Sequence, residues 1–187
     1  MNPWISIWTK TRETIDHIKN SYWVEGQGLL PFYFFGINGA AESEILELID
    51  FDPGFQSNLI SVVLILVFGI GSGYIFRFVW LNFIFFFGKI WKGQATKRNI
   101  DSVLSLSLIP EGFKFIYISG VIIVNNGNPI GLQINYALTL ICFFLSIRIL
   151  LVGLSRVQRF SYGTALLNIF LPQLILILLI VSIRGLY

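Results

Sequence analysis

Residues 58–90 read NLISVVLILVFGIGSGYIFRFVWLNFIFFFGKI, and Arg77 and Lys89 are the charged side chains among them. The hydrocarbon core of a bilayer is about 30 Å thick, and a helix crosses it with about 20 apolar residues. This stretch is too long for one upright span and too short for a comfortable hairpin of two. We therefore expect one strongly tilted or kinked helix, with any kink favoured at the glycines of residues 69–73.

The composition of the whole chain agrees with a membrane protein. Its 187 residues are 55% hydrophobic and 12% charged, against about 25% charged residues in typical soluble chains. A soluble domain of this size could not bury so much apolar surface. The composition also argues against a disordered chain. The net charge of +3 is explained by basic loops at a membrane, and we expect no nucleic-acid partner.

Four further apolar blocks accompany this stretch, at about residues 26–41, 100–124, 132–154 and 165–183. The predicted fold is an all-α membrane protein with five transmembrane helices preceded by a short amphipathic interfacial helix. Residues 1–25 form the predicted cytoplasmic interfacial segment, with Trp4 and Trp8 as anchors at headgroup level. Its alternative is an N-terminal segment packed loosely on the bundle. Residues 26–187 form the predicted five-helix membrane domain.

The loops between the blocks alternate in charge, which predicts the orientation. Residues 42–57 carry five acidic side chains and no Lys or Arg, and residues 125–131 are uncharged. Lys89, Lys92, Lys97 and Arg98 lie in one of the other loops, and Arg156 and Arg159 lie in the other. Since Lys and Arg are retained on the cytoplasmic side, we expect a multi-pass plasma-membrane protein with its N-terminus cytoplasmic and its C-terminus external. The basic loop of residues 89–98 is also a candidate contact for anionic lipid.

Ionisable residues inside the apolar blocks are the first candidates for a site, because they are costly in hydrocarbon. Arg77, Glu111, Lys114 and Arg148 form the predicted intramembrane polar cluster. It would line a cavity or bind a lipid headgroup. In the structural alternative, Glu111 pairs with Arg77 or Lys114, and Arg148 extends to the interface.

Gly69 and Gly73 form a GxxxG face, which lets another helix approach closely. A hinge and a ligand site at these glycines are the alternatives. Sets of residues for catalysis are poor: the single His17 excludes a His-pair metal motif, and the single Cys142 excludes a disulfide and a four-Cys zinc site. We therefore predict no enzyme activity, no cofactor and no metal site.

Three stretches carry a resemblance to a known family. Residues 8–15 (WTKTRETI) are similar to its opening Trp-x-x-Pro-Arg-x-Thr pattern, with Thr11 where the family often has Pro. Residues 88–98 and 104–110 resemble its glycine-basic loop and the proline-containing helix that follows. Residues 151–166, followed by Pro172, resemble the loop before its last helix. The chain thus resembles the Yip-type (Ypt/Rab-interacting) membrane proteins in their short bacterial form.

This resemblance implies a five-helix membrane domain with a cytoplasmic N-terminus. Eukaryotic relatives bind Rab GTPases, and some bacterial members accompany ABC-type export systems. The leading hypothesis is therefore a non-enzymatic accessory or scaffold protein that binds another membrane protein, such as an ABC-type exporter. The Gly69/Gly73 face, the basic loop of residues 89–98 and the Trp4/Trp8 segment are its expected surfaces. The alternative is a small oligomeric transporter or channel subunit that uses the polar cluster.

Overall fold

The computed structural model describes residues 2–19, 27–42, 55–124 and 132–184, and it is helical in these ranges, with no strand among them. The helices are α1 (Pro3–Thr9), α2 (Thr11–Ile18), α3 (Leu30–Glu42), α4 (Phe55–Ile90), α5 (Lys97–Ser107), α6 (Ile109–Val124), α7 (Leu132–Gln158) and α8 (Tyr162–Arg184), with a 3-10 turn at Gln27–Leu29 before α3. The predicted all-α class is confirmed. Most of the acidic loop and the uncharged loop of residues 125–131 lie outside the described residues.

Two helices in the described part of the chain are long and apolar enough to cross a membrane. They are Val62–Ile90 in α4 and Tyr136–Gln158 in α7, with mean hydropathies of 2.1 and 2.4. Only 11% and 22% of their most apolar windows are buried inside the protein. Apolar helices with so much uncovered surface suit a lipid environment better than water. A shorter apolar stretch begins α8, at Tyr162–Ile175, and the count of five spans stays a prediction.

The longest block forms one continuous helix. α4 has 36 residues, which gives it a length of about 54 Å, and its Gly69 and Gly73 serve close packing. A Cβ added at Gly69 would lie 2.6 Å from the Cα of Ile37, and one added at Gly36 would lie 2.6 Å from the backbone nitrogen of Gly73. The backbones of α3 and α4 therefore touch. The Gly69/Gly73 face that the sequence offered to a partner is filled from within the same chain.

The third block forms two helices, α5 and α6, and is not one continuous helix. The break lies at Leu108, with φ −93° and ψ 0°. Pro110 lies in the first turn of α6, where a helix tolerates proline, since its missing N–H has no partner there anyway. Within a continuous helix the same proline would remove the hydrogen bond to the carbonyl of Leu106. The chain therefore starts a new helix at this point.

The first half of this broken helix lies at the centre of the protein. Every residue from 100 to 110 is buried, and α5 packs against α4 and α7 and also contacts α1, α3 and α6. Its buried side chains include the polar Asp101, Ser102, Ser105 and Ser107. Thr96 starts α5 by accepting a hydrogen bond at its hydroxyl from the backbone N–H of Asn99, at 3.3 Å. A polar helix is thus enclosed by more apolar ones.

The N-terminal helices share this core. Ile7, Ile15 and Ile18 are buried in the same cluster as α5 and α7. The Trp4 ring packs edge-on against Phe34, and the Trp8 ring packs edge-on against Phe113, with centroids 6.3 and 5.2 Å apart. The apolar side of this segment therefore lies against the protein, and the position of the two indoles at headgroup level stays a prediction.

The carboxyl ends of α4 and α7 lie beside each other. The backbone N–H of Gln94, just after α4, donates to the carbonyl of Gln158 at the end of α7, at 3.3 Å. α2 reaches the same end of the protein, where the Arg156 guanidinium donates to both carboxylate oxygens of Asp16. These bonds hold the pKa of the Asp16 carboxyl below its usual value.

This arrangement collects most of the basic side chains at one end, which we name the basic end. Arg12, Lys19 and Arg156 line one depression there. The other members are Lys10, two residues before Arg12, and the basic residues beside the joined ends of α4 and α7, which are Lys89, Lys92, Lys97, Arg98 and Arg159. Both helices finish there in the same way, with a left-handed residue after the last turn, Lys92 at φ 62° and Arg159 at φ 59°. The two basic loops of the sequence thus face the same side.

The contact between α3 and α4 gives a first prediction. Gly73→Ala places a Cβ 2.9 Å from the carbonyl carbon of Phe32, and Gly36→Ala meets α4 in the same way. We expect each change to lower the free energy of unfolding by about 1–3 kcal/mol, as overpacking does. The measurement is the midpoint of thermal unfolding in mild detergent. Gly39→Ala and Gly71→Ala are matched controls, because nothing lies within 4 Å of their added Cβ atoms. Equal midpoints for both pairs would contradict the packing.

Candidate ligand cavity at the α5–α6 break

A cavity of about 290 Å³ lies where α5 ends and α6 begins. Residues of α3, α4, α7 and α8 complete its wall. Its polar side chains are Ser107, Glu111, Ser146 and Gln173, and its other lining residues are apolar. A largely apolar pocket with a few convergent polar groups is typical of sites that bind small molecules.

Glu111 is held by α3. The side-chain amide of Asn38 donates to the backbone carbonyl of Glu111 at 2.9 Å and to its carboxylate Oε2 at 3.1 Å. Asn38 is buried, so α3 fixes both the start of α6 and the carboxylate. Because Asn38 is neutral, it orients the carboxylate without neutralising its charge. The first turn of a helix also favours a carboxylate, through the positive end of the helix dipole.

The two serines of the wall differ in their hydrogen bonds. Ser107 Oγ donates to the carbonyl of Leu104 at 2.7 Å. Ser146 Oγ is buried without a hydrogen-bond partner. A buried polar group left unpaired costs about 1–3 kcal/mol, so the Ser146 hydroxyl is open to a hydrogen bond with a ligand atom inside the cavity.

Aromatic rings form much of the remaining wall. Phe35 of α3 packs against Phe76 of α4 with centroids 4.4 Å apart, and Phe76 packs edge-on against Trp80 at 5.8 Å. Phe143 of α7 and Phe170 of α8 add rings from the other helices. Aromatic side chains from four helices and a fixed carboxylate therefore line one small volume.

A larger groove of about 630 Å³ lies along α3 and α4, and it has a different character. Its lining is apolar except for Ser72, and the Ser72 hydroxyl already donates to the carbonyl of Gly69 at 3.0 Å. Such a surface fits lipid chains and offers few polar groups that could bind a polar ligand. The smaller cavity is the better candidate site.

The predicted polar cluster does not form as a unit. Arg77 pairs with Asp101 of α5, with 2.8 Å between Nε and Oδ1, and its guanidinium lies 5.8 Å from the ring centroid of Phe32. Of the two partners that the structural alternative offered Glu111, Arg77 is therefore paired elsewhere. Lys114 is buried on α6 one turn beyond Glu111, and Arg148 is exposed on α7. Of the four, only Glu111 lines the cavity.

Sequence reasoning missed Asp101, Asn38 and Ser146. Asp101 lies only four residues into α5 and follows a basic loop, so it looks like a residue of the membrane surface. One feature of the sequence could have indicated it: Arg77 and Asp101 lie on two helices that only residues 91–96 connect, and a short connection makes the two helices neighbours. Asn38 and Ser146 belong to apolar blocks, and neither spacing nor composition relates them to Glu111.

The candidate basic loop folds back on the protein. Lys89 Nζ and Lys97 Nζ each lie 5.3 Å from the ring centroid of Phe85. Lys97 also donates to the side-chain oxygen of Asn82 at 2.9 Å. Lys92 occupies the left-handed turn, and Arg98 lies in the first turn of α5. Lys89 and Lys97 are thus partly engaged within the chain.

Comparison of this chain with models of known protein families, with curated proteins and with solved structures finds no match. Within residues 2–19, 27–42, 55–124 and 132–184, no three His, Cys, Asp or Glu side chains are placed to hold a metal ion. The function of the cavity is therefore argued from the side chains that line it.

The Arg77–Asp101 pair gives a second prediction. Asp101→Asn leaves the guanidinium without its counter-ion in a mostly buried position, where Asp101 is 7% exposed and Arg77 24%. We expect it to lower the free energy of unfolding by about 3–5 kcal/mol, as breaking a buried pair does. Asp16→Asn, which breaks the exposed pair with Arg156, is the matched control and should change stability much less.

Thermal unfolding in detergent measures both variants of this second prediction. Replacing Arg77 with Met as well as Asp101 with Leu removes both charges, and it should recover most of the lost stability. If Asp101→Asn proves as mild as Asp16→Asn, the pair does not hold α4 against α5.

Proposed function

We propose that this chain is a five-span plasma-membrane protein that binds a small solute in the cavity at the α5–α6 break and moves it, as a subunit of a small oligomeric transporter or channel. The observation that carries the proposal is the cavity itself. It joins a fixed carboxylate at Glu111 with the unpaired hydroxyl of Ser146 inside an apolar wall. Five spans make a narrow bundle, so a continuous path would need several copies.

The broken helix supports this function. Irregular backbone at membrane depth is tolerated where it is enclosed by protein or lines a cavity, and transporters place their sites at such discontinuous helices. Residues 100–110 are buried, and Ser107, Leu108 and Glu111 of this break line the cavity. The break and the cavity are therefore one feature.

The basic end supports the proposed orientation. It brings together the N-terminal helices and both basic loops, which is what retention of Lys and Arg on the cytoplasmic side requires. The N-terminus would then be cytoplasmic. An odd number of spans would place the C-terminus outside.

The competing function is that of an accessory or scaffold for another membrane protein, such as an ABC-type exporter. The geometry favours it less, because α3 occupies the Gly69/Gly73 face and part of the basic loop packs on the chain itself. A stoichiometric membrane partner in a mild-detergent purification would favour it.

The orientation is tested by labelling cysteines in intact cells. In a Cys142→Ala background, we expect a membrane-impermeant maleimide to label Asn126→Cys in the uncharged loop from outside. It should not label Lys10→Cys at the basic end until the cells are opened. Lys10 is a suitable site because its side chain is 61% exposed. Labelling of Lys10→Cys in intact cells would reverse the orientation.

Transport is tested by osmotic swelling of liposomes that contain only this protein, with glycerol, choline chloride and sodium chloride as probes. We expect at least one solute to enter faster than into empty liposomes. Ser146→Leu should abolish the difference by filling the cavity. Phe144→Leu is the matched control, since Phe144 is 65% exposed and lies outside the cavity wall. Rates equal to those of empty liposomes for all three solutes would argue for the accessory function.

A further inference from the structure

The charge of the cavity is set by one residue. Glu111 is the only ionisable side chain among its lining residues, which all lie in the described part of the chain. The nearest basic candidates of the sequence do not line it: Arg77 is neutralised by Asp101, and Lys114 lies outside the wall. The site therefore presents negative charge to its contents.

The walls add to this charge. Five rings line the cavity, and they come from four helices: Phe35, Phe76, Trp80, Phe143 and Phe170. The face of an aromatic ring carries a negative quadrupole that attracts cations, and several such rings around one volume form the cage that proteins use for ammonium groups. The chain uses the same attraction elsewhere, where Lys89 and Lys97 lie over Phe85.

We infer that the ligand of this cavity is a small organic cation, an amine or a quaternary ammonium compound with an apolar body. An anion would meet Glu111 with no Lys or Arg in the wall to balance it. A neutral solute would leave the carboxylate without a counter-ion in an apolar cavity. A cation satisfies Glu111 and the rings together, and a hydroxyl on the same molecule can bond with Ser146.

The size of the cavity restricts the cation further. A volume of about 290 Å³ lies at the lower end of ligand pockets, so it fits a compound of the size of choline and excludes bulky dyes. This inference rests on the proposed solute-binding function, and it names the class of solute.

The test is isothermal titration of the purified protein in detergent with choline and with 3,3-dimethyl-1-butanol, which has the same shape without the charge. We expect choline to bind at least tenfold more tightly than the alcohol. Glu111→Gln should remove this preference, because it keeps the shape of the side chain and the backbone contact with Asn38 while losing the charge. Trp80→Leu should weaken choline binding independently of Glu111.

Matched controls are Glu13→Gln, at an exposed position, and Phe78→Leu, at an exposed ring on α4. Both should bind choline as the unaltered protein does, and thermal unfolding should show that all variants are folded. If the alcohol binds as well as choline and Glu111→Gln changes nothing, the cationic class is overturned while the solute site stands. If neither compound binds, the inference falls, and an absence of flux in liposomes would remove the proposed function as well.

Discussion

A helix that carries Asp101, Ser102, Ser105 and Ser107 cannot face hydrocarbon, because each polar group without a partner there is costly. The chain encloses α5 on all sides, and the enclosure determines where the other elements lie. α4 supplies Arg77 as the counter-ion of Asp101, and Ser105 donates its hydroxyl hydrogen to the carbonyl of Gly28 just before α3. α1 and α2 cover the remaining side with Ile7, Ile15 and Ile18. The N-terminal segment is therefore part of the structure that shields α5.

The same enclosure makes room for the cavity. α5 ends before Leu108, and α6 begins at Ile109 with Pro110 in its first turn, so the cavity lies at a break between two helices. Asn38 of α3 then bonds to Glu111 at the start of α6, which ties the break to the pair of helices packed through Gly36, Gly69 and Gly73. The close approach of α3 and α4 and the position of the carboxylate thus depend on each other, although the residues are far apart in sequence.

The sequence predicted what depends on local composition. The helical class, the long apolar α4 and the grouping of basic loops follow from residue type and spacing. Five spans and the family resemblance stay predictions. The contacts of single side chains could not be predicted, because they depend on which helices become neighbours. Asp101 and Glu111 both lie on helices that follow the one carrying Arg77, and the sequence does not say which of them Arg77 meets. The GxxxG pattern correctly indicated close packing, but it cannot distinguish a helix of the same chain from one of a partner. In the sequence, Ser146 does not differ from other small residues of an apolar helix. Only the structure shows that its unpaired hydroxyl lies in the wall of the cavity.

The mouth of the cavity relates its contents to the bilayer. Phe143 and Phe170 belong to the wall, yet they are 51% and 38% exposed on the outer surface of α7 and α8. Each of these two rings both lines the cavity and is exposed on the surface of the protein, so one side chain separates the cavity from the surroundings. In a membrane, those surroundings are lipid. The basic end would repel a cation that approached along the axis of the bundle. For the proposed cationic ligand, the charge of the basic end and the exposure of the two rings therefore favour entry from the side of the bundle over entry through the loops.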